Sequence, residues 1–292
     1  MDFVKQKIIL LIILMFDLVL SLFLAEKYPA RWLIVIASSS TAFAALSILV
    51  YSRRLLFASA SSPHAAFLAA GLGILLGYGT GIAPLAWTVI IGLVLVYTLG
   101  FMVYRGVDPD DATSLFVSFS TSAGALTVYY VMSKIVSGAD ISAIIIGDPL
   151  LAGPDLVKYS ALVALATVIL TFLCAPEIVY MGTDPDDAKL SGIRVWLYDL
   201  ILFTLIGLAS VGMVTVVGFV IEHPLLLLPG AVSVLSCRCG SLWTMVASII
   251  IGLSIGVVGL LLAVLLNLSP SGIIGLLLVI VYLAALAFHR SA

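Results

Sequence analysis

Among the ionisable side chains that stand inside otherwise apolar stretches are His64 and the adjacent pair Glu222 and His223. Imidazole nitrogens and carboxylate oxygens are ligands that suit zinc, manganese or iron, and ligand type alone does not choose among them. An ionisable pair inside an apolar span is costly and tends to face a cavity or a pathway. The three residues are therefore read as facing a pathway through the protein. The blander alternatives are a hydrogen-bonded core histidine behind Pro63 and a buried structural pair at 222–223. Cys237-Arg238-Cys239 offers two thiols without a nearby histidine, short of a four-ligand metal site. With Cys174 as the third cysteine, no disulfide framework is available either.

A second group of acids has a different use. The string Gly-x-Asp-Pro-Asp-Asp-Ala occurs at Gly106–Ala112 and again at Gly182–Ala188. In each copy the first aspartate is an N-cap, the proline presets φ for the first helical position, and two carboxylates sit at the positive end of the helix dipole. Asp184 thus opens a helix that Ser191-Gly192 closes after about two turns, glycine tolerating the left-handed closing conformation. The stretch from Pro176 to Arg194 reads as a polar break between two apolar segments. Neither acidic run is arranged for catalysis, and without a Gly-Lys-Ser/Thr sequence there is no P-loop.

The elements that position these residues follow from composition. The chain is 63% hydrophobic and 10% charged, against about a quarter charged in a soluble domain. This is an all-α polytopic membrane bundle of about ten transmembrane helices. No basic run could follow a nucleic-acid backbone. The residues Val195–Ser236 suffice for two crossings at about 1.5 Å per residue. With both made, Lys27, Arg31, Lys134 and Lys158 lie outside and the other Lys and Arg residues inside, obeying the positive-inside rule. Near the N-terminus, Lys5 and Lys7 precede an apolar run, Ile8–Ala25, that is too long for a signal and lacks a small residue at position 23. It reads as a retained anchor. Small residues at 58–66, with Gly73 and Gly77, mark a central helix that turns His64 toward protein or water.

The run Asp184-Pro185-Asp186-Asp187-Ala188-Lys189-Leu190-Ser191-Gly192-Ile193 resembles the Asp-Pro-Glu-x-Ala-x-x-x-Gly-Ile-like run of the ABC-3 family of membrane subunits, importers of zinc, manganese and iron. The resemblance spans roughly residues 31–288, so that 1–30 is an extra N-terminal helix on a single permease domain, 1–292. It implies that Asp184, Pro185, Asp186, Asp187, Ala188, Gly192 and Ile193 belong to a short cytoplasmic coupling helix that seats on an ABC ATPase subunit. It implies further that the outer loop bearing Asp148 and Asp155 meets an extracytoplasmic solute-binding protein. The permease would be half of a homodimer in the cell membrane. It would hold no permanent cofactor, pass a divalent metal ion, and leave ATP hydrolysis to its partner.

Two departures from the family pattern matter. The family shows Gly-Asp-x-x-x-His-Ala where this chain has His64-Ala65, with Ala60 in place of the carboxylate. A Pro-Ala-Ala-like break is matched by Pro229-Gly230-Ala231, beside which Glu222-His223 replace apolar or small residues. The missing acid at Ala60 is what a permease for an iron chelate or a cobalamin-like cofactor would show. A secondary transporter working without ATP would need inverted repeats, and the two acidic strings fall on the same side.

Overall fold

Apolar stretches become helices in a membrane because hydrocarbon offers no partner to a free N–H or C=O. A computed structural model describes residues 3–134, 149–237 and 240–291, and among these it contains helices and no strand. In chain order they are α1 (Phe3–Lys27), α2 (Ala30–Ser52), α3 (Leu56–Ala60), α4 (Ser62–Thr80), α5 (Pro84–Tyr104) and α6 (Pro109–Lys134). After a 3-10 turn at Pro149–Leu151 come α7 (Pro154–Thr183), α8 (Pro185–Leu190), α9 (Val195–Val217), α10 (Phe219–Ser236), α11 (Ser241–Leu266) and α12 (Pro270–Ser291). Helices α3 and α4 share one crossing, and ten segments are long and apolar enough to span a bilayer. Alternation puts the links at 53–55, 105–108 and 184–194 and the end of α10 on one face, the positively charged cytoplasmic one. The all-α bundle expected from composition is the fold observed.

Helix α2 is the hub. It packs on α7, α11 and α10, and its residues from Ala42 to Val50 are buried throughout. Small residues permit this: a Cβ added at Gly252 of α11 would lie 2.5 Å from Ala44 Cβ, while Ser248 donates to the Ala44 carbonyl at 2.6 Å. The Gly230 N–H of α10 donates to Ser47 Oγ at 2.9 Å. Helices α1, α5 and α12 are little buried in their apolar windows and form part of the lipid-facing shell.

Prolines account for two differences from the sequence reading. Pro176 does not begin a polar break: α7 runs through it to Thr183, because the buried Ile178 and Met181 continue its core face. At about 1.5 Å per residue, the 30 residues of α7 exceed the hydrocarbon thickness, and its last turn reaches the cytoplasmic surface. Likewise Pro229-Gly230-Ala231 makes no break. Both Pro224 and Pro229 lie inside α10, and the N–H of Gly230 bonds across to α2.

Candidate translocation site

The site is built where α4 and α10 begin. Pro63 cannot donate to the carbonyl four residues earlier, Ser59 O. The Ser62 hydroxyl serves it instead at 2.7 Å, and Ser61 donates to Ala58 O at 2.6 Å. This offset between α3 and α4 places His64 toward α10. On the other side, Gly218 has φ +78, a value open to glycine at little cost. It separates α9 from α10 and delivers Phe219, Glu222 and His223 within the first turns of α10.

His64 and His223 are brought together, their ring centroids 5.2 Å apart and nearly perpendicular. Phe219 lies edge-on to both, at 5.0 Å from each, and Phe67 tilts against it at 5.9 Å. Nδ1 of His64 is 2.8 Å from Thr121 Oγ1 of α6, and Nδ1 of His223 is 3.2 Å from the Phe219 carbonyl. If that nitrogen carries the proton it donates to Phe219, its Nε2 then being the one with a lone pair to offer a metal. The main-chain carbonyl of Ala60, at the position of the absent family acid, is a further polar neighbour of the His223 ring.

Glu222 points elsewhere. It is fully buried, and neither carboxylate oxygen meets a donor in hydrogen-bond geometry. Its polar neighbours are Ser62 and Ser210, whose hydroxyls bond each other at 2.9 Å. The three residues singled out in the sequence thus form a histidine pair with a carboxylate behind it, and among the described residues no group of three His, Cys, Asp or Glu is placed to hold a metal ion. Sequence reasoning missed Thr121 and Phe219, which carry no ionisable group to mark them.

At the cytoplasmic face the acidic string behaves as its residues dictate. Asp184 accepts from the N–H groups of Asp186 and Asp187, both at 3.0 Å, and Lys189 pairs with Asp186 at 3.0 Å. Gly192, at φ +86, closes α8: its N–H donates to Lys189 O and that of Ile193 to Ala188 O, each at 3.0 Å, the pair of hydrogen bonds of a Schellman close. Ala188 is buried, whereas Leu190 is 87% exposed at the tip. On the outer side Asp155 is exposed in the first turn of α7, 3.9 Å from Lys158. Asp148 lies outside the described residues.

The sequence profile of the ABC 3 transport family matches residues 27–289. The chain belongs to that family. This permease is thus a multi-pass transport subunit of the cell membrane. A "Probable metal transport system membrane protein" of Thermotoga maritima is 26% identical to it over 244 residues, 83% of each chain. PsaBC of Streptococcus pneumoniae, solved in complex with Fab, superposes with a TM-score of 0.77 at 20% identity, over 91% of this chain and 94% of the other. A structure described as an inward-facing metal-chelate type ABC transporter superposes at 0.74 with 15% identity, over 98% and 99%. At those identities the two structures speak for the fold.

Proposed function

We propose that this permease is half of a homodimeric, ATP-driven importer that passes a divalent metal ion, with His64 and His223 lining the route. The observation that carries the reading is the paired imidazoles at the junction of α4 and α10, inside spans where such groups are costly unless they face a pathway. The name of the Thermotoga relative supports a metal as cargo. Glu222 lies just behind the pair and holds a negative charge or a proton close to the route. Thr121 is exposed on the flank of α6, along with Ser114, Ser118 and Ser122, a hydroxyl-rich face poorly matched to lipid. A second copy would close the site there.

In this reading α8 seats on a separate ATPase subunit, which hydrolyses ATP, with Leu190 as the apolar contact. An extracytoplasmic solute-binding protein delivers the cargo at the outer face, where Asp155 and Asp148 are candidate contacts. Residues 1–30 add a helix to the 31–288 core. The histidine pair with no third ligand keeps a second reading in view: a chelate, its metal already coordinated, needs fewer protein ligands than a bare ion.

Uptake of zinc and of manganese by the complex in proteoliposomes separates these. His64→Gln and His223→Gln should each lower uptake by about tenfold or more, the scale seen when groups that orient a metal are removed, with the detergent melting temperature nearly unchanged. Undiminished uptake in the double variant, with lowered melting, would take both residues out of the route. Ala60→Asp distinguishes the cargoes, strengthening capture of a bare ion beside His64 and obstructing a chelate.

A further inference from the structure

One basic residue joins three helices at the base of α8. The Arg53 guanidinium, at the end of α2, donates through Nε and Nη2 to Asp199 Oδ1 of α9 at 3.1 and 2.7 Å, and through Nη1 to the Met181 carbonyl of α7 at 3.0 Å. That carbonyl lies in the last turn of α7, where no intrahelical N–H remains to serve it. The helices touch at the same point: a Cβ added at Gly182 would lie 2.3 Å from the Ser52 carbonyl. The Arg53 side chain is only 14% exposed.

We propose that Arg53 is a positioning residue that transmits displacement of α8 into the bundle, an inference that rests on the reading of α8 as the seat of the ATPase. Helix α8 is strapped to α7 by Tyr180, whose hydroxyl donates to Asp187 Oδ2 and lies 3.2 Å from Ser191 Oγ. One residue beyond Tyr180, Met181 is held by Arg53. Along α2 from Arg53, Ser47 accepts the Gly230 N–H of α10, the helix that carries Glu222 and His223. A push on α8 therefore reaches the histidine pair through α7, Arg53, α2 and α10, with a hydrogen bond or a backbone contact at each step. The guanidinium serves Asp199 and Met181 from separate nitrogens of one rigid plane, whereas a lysine carries its three N–H donors on a single nitrogen and cannot reproduce that fork.

The test uses the full complex with its ATPase, spin-labelled at exposed Val234 of α10 and exposed Leu173 of α7, and reads the change in label distance when ATP binds. In the parent chain the distance should shift. In Arg53→Lys and in Asp199→Asn the shift should be lost while the ATPase still co-purifies and still hydrolyses ATP. A shift that persists in both variants overturns the inference and leaves the docking of α8 intact, as does a parent chain with bound ATPase and no shift. An ATPase that never co-purifies with the parent chain removes the docking reading, and the inference with it. If Arg53→Lys does not accumulate, Asp199→Asn carries the readout, and failure of both to accumulate marks the contact as purely structural.

Discussion

The two copies of Gly-x-Asp-Pro-Asp-Asp-Ala perform the same local act with different consequences. In each, the first aspartate caps the helix that follows: Asp108 accepts from Asp110 N and Asp111 N at 2.9 and 3.4 Å, and Asp184 from the corresponding pair at 3.0 Å. The first copy opens a helix of 26 residues, the second one of six. The difference lies outside the string. After Ala112 the chain is apolar and goes on across the bilayer, whereas after Ala188 it meets Ser191-Gly192 and closes.

The leading glycines also differ in purpose. Gly106 has φ +88, faces open space, and ends α5, with Val107 N–H returning to Met102 O. Gly182 is helical and is required by the Ser52 backbone against it. Identical sequence thus marks a hinge between two spans in one copy and a packed junction in the other, and only the packed copy is tied to its surroundings by Arg53 and Tyr180.

The largest effect should come from the glycine that gives the second copy its short helix. Gly192→Val forces a β-branched side chain into the left-handed region, at a cost of at least about 1–2 kcal/mol, and α8 would run on or tilt. Transport and transport-stimulated ATP hydrolysis should fall together while the protein still inserts. Gly106→Val carries a similar strain at the first copy and should lower the melting temperature but leave ATP stimulation intact. Equal loss of stimulation in both would erase the distinction between the copies.

Next in size is Gly182→Ala against Gly106→Ala. The first must push two helix backbones apart, and overpacking of this kind costs about 1–3 kcal/mol. The second meets nothing and pays only for its left-handed φ, about 1–2 kcal/mol. Because the methyl at Gly182 would meet backbone, which cannot swing aside as a side chain can, melting in detergent should rank Gly182→Ala below Gly106→Ala, and the reverse order would mean that the α2–α7 contact is slack.

The span count, the caps and the Gly192 stop were legible because each rests on a local rule: apolar length, an oxygen that accepts from nearby N–H groups, a backbone angle. Helices through Pro176 and Pro229 were not, since a proline removes one hydrogen bond and whether the helix survives depends on what packs around it. The approach of His64 to His223 could be suspected from two histidines inside spans, but the turning away of Glu222 is set by the helical angle between adjacent residues and by Ser62 and Ser210 on other helices. Arg53 and Asp199 are 146 positions apart, and no spacing rule links them. The repeat itself is longer than the acidic string suggests, for Val103-Tyr104 precede the first copy as Val179-Tyr180 precede the second.

That shared tyrosine gives the finest comparison. Tyr180 donates to Asp187, the second acid after the proline, and touches Ser191. Tyr104 stands at the same offset before Asp111, yet it is 74% exposed and has no hydrogen-bond partner among the described residues. The cause is again the chain on either side: α7 continues in line past Tyr180 and folds α8 back over it, whereas α5 has already ended at Tyr104 and α6 departs across the membrane. Tyr180→Phe removes the hydrogen bonds to Asp187 and Ser191, both solvent-exposed and together worth about 1–2 kcal/mol or less, and Tyr104→Phe removes none. Melting should therefore shift slightly in the first and not in the second. Because Tyr180 straps α8 to α7, ATP stimulation should fall measurably in Tyr180→Phe even where its melting is nearly that of the parent. A stimulation loss of the same size in Tyr104→Phe would mean that the first copy, too, is read by the ATPase.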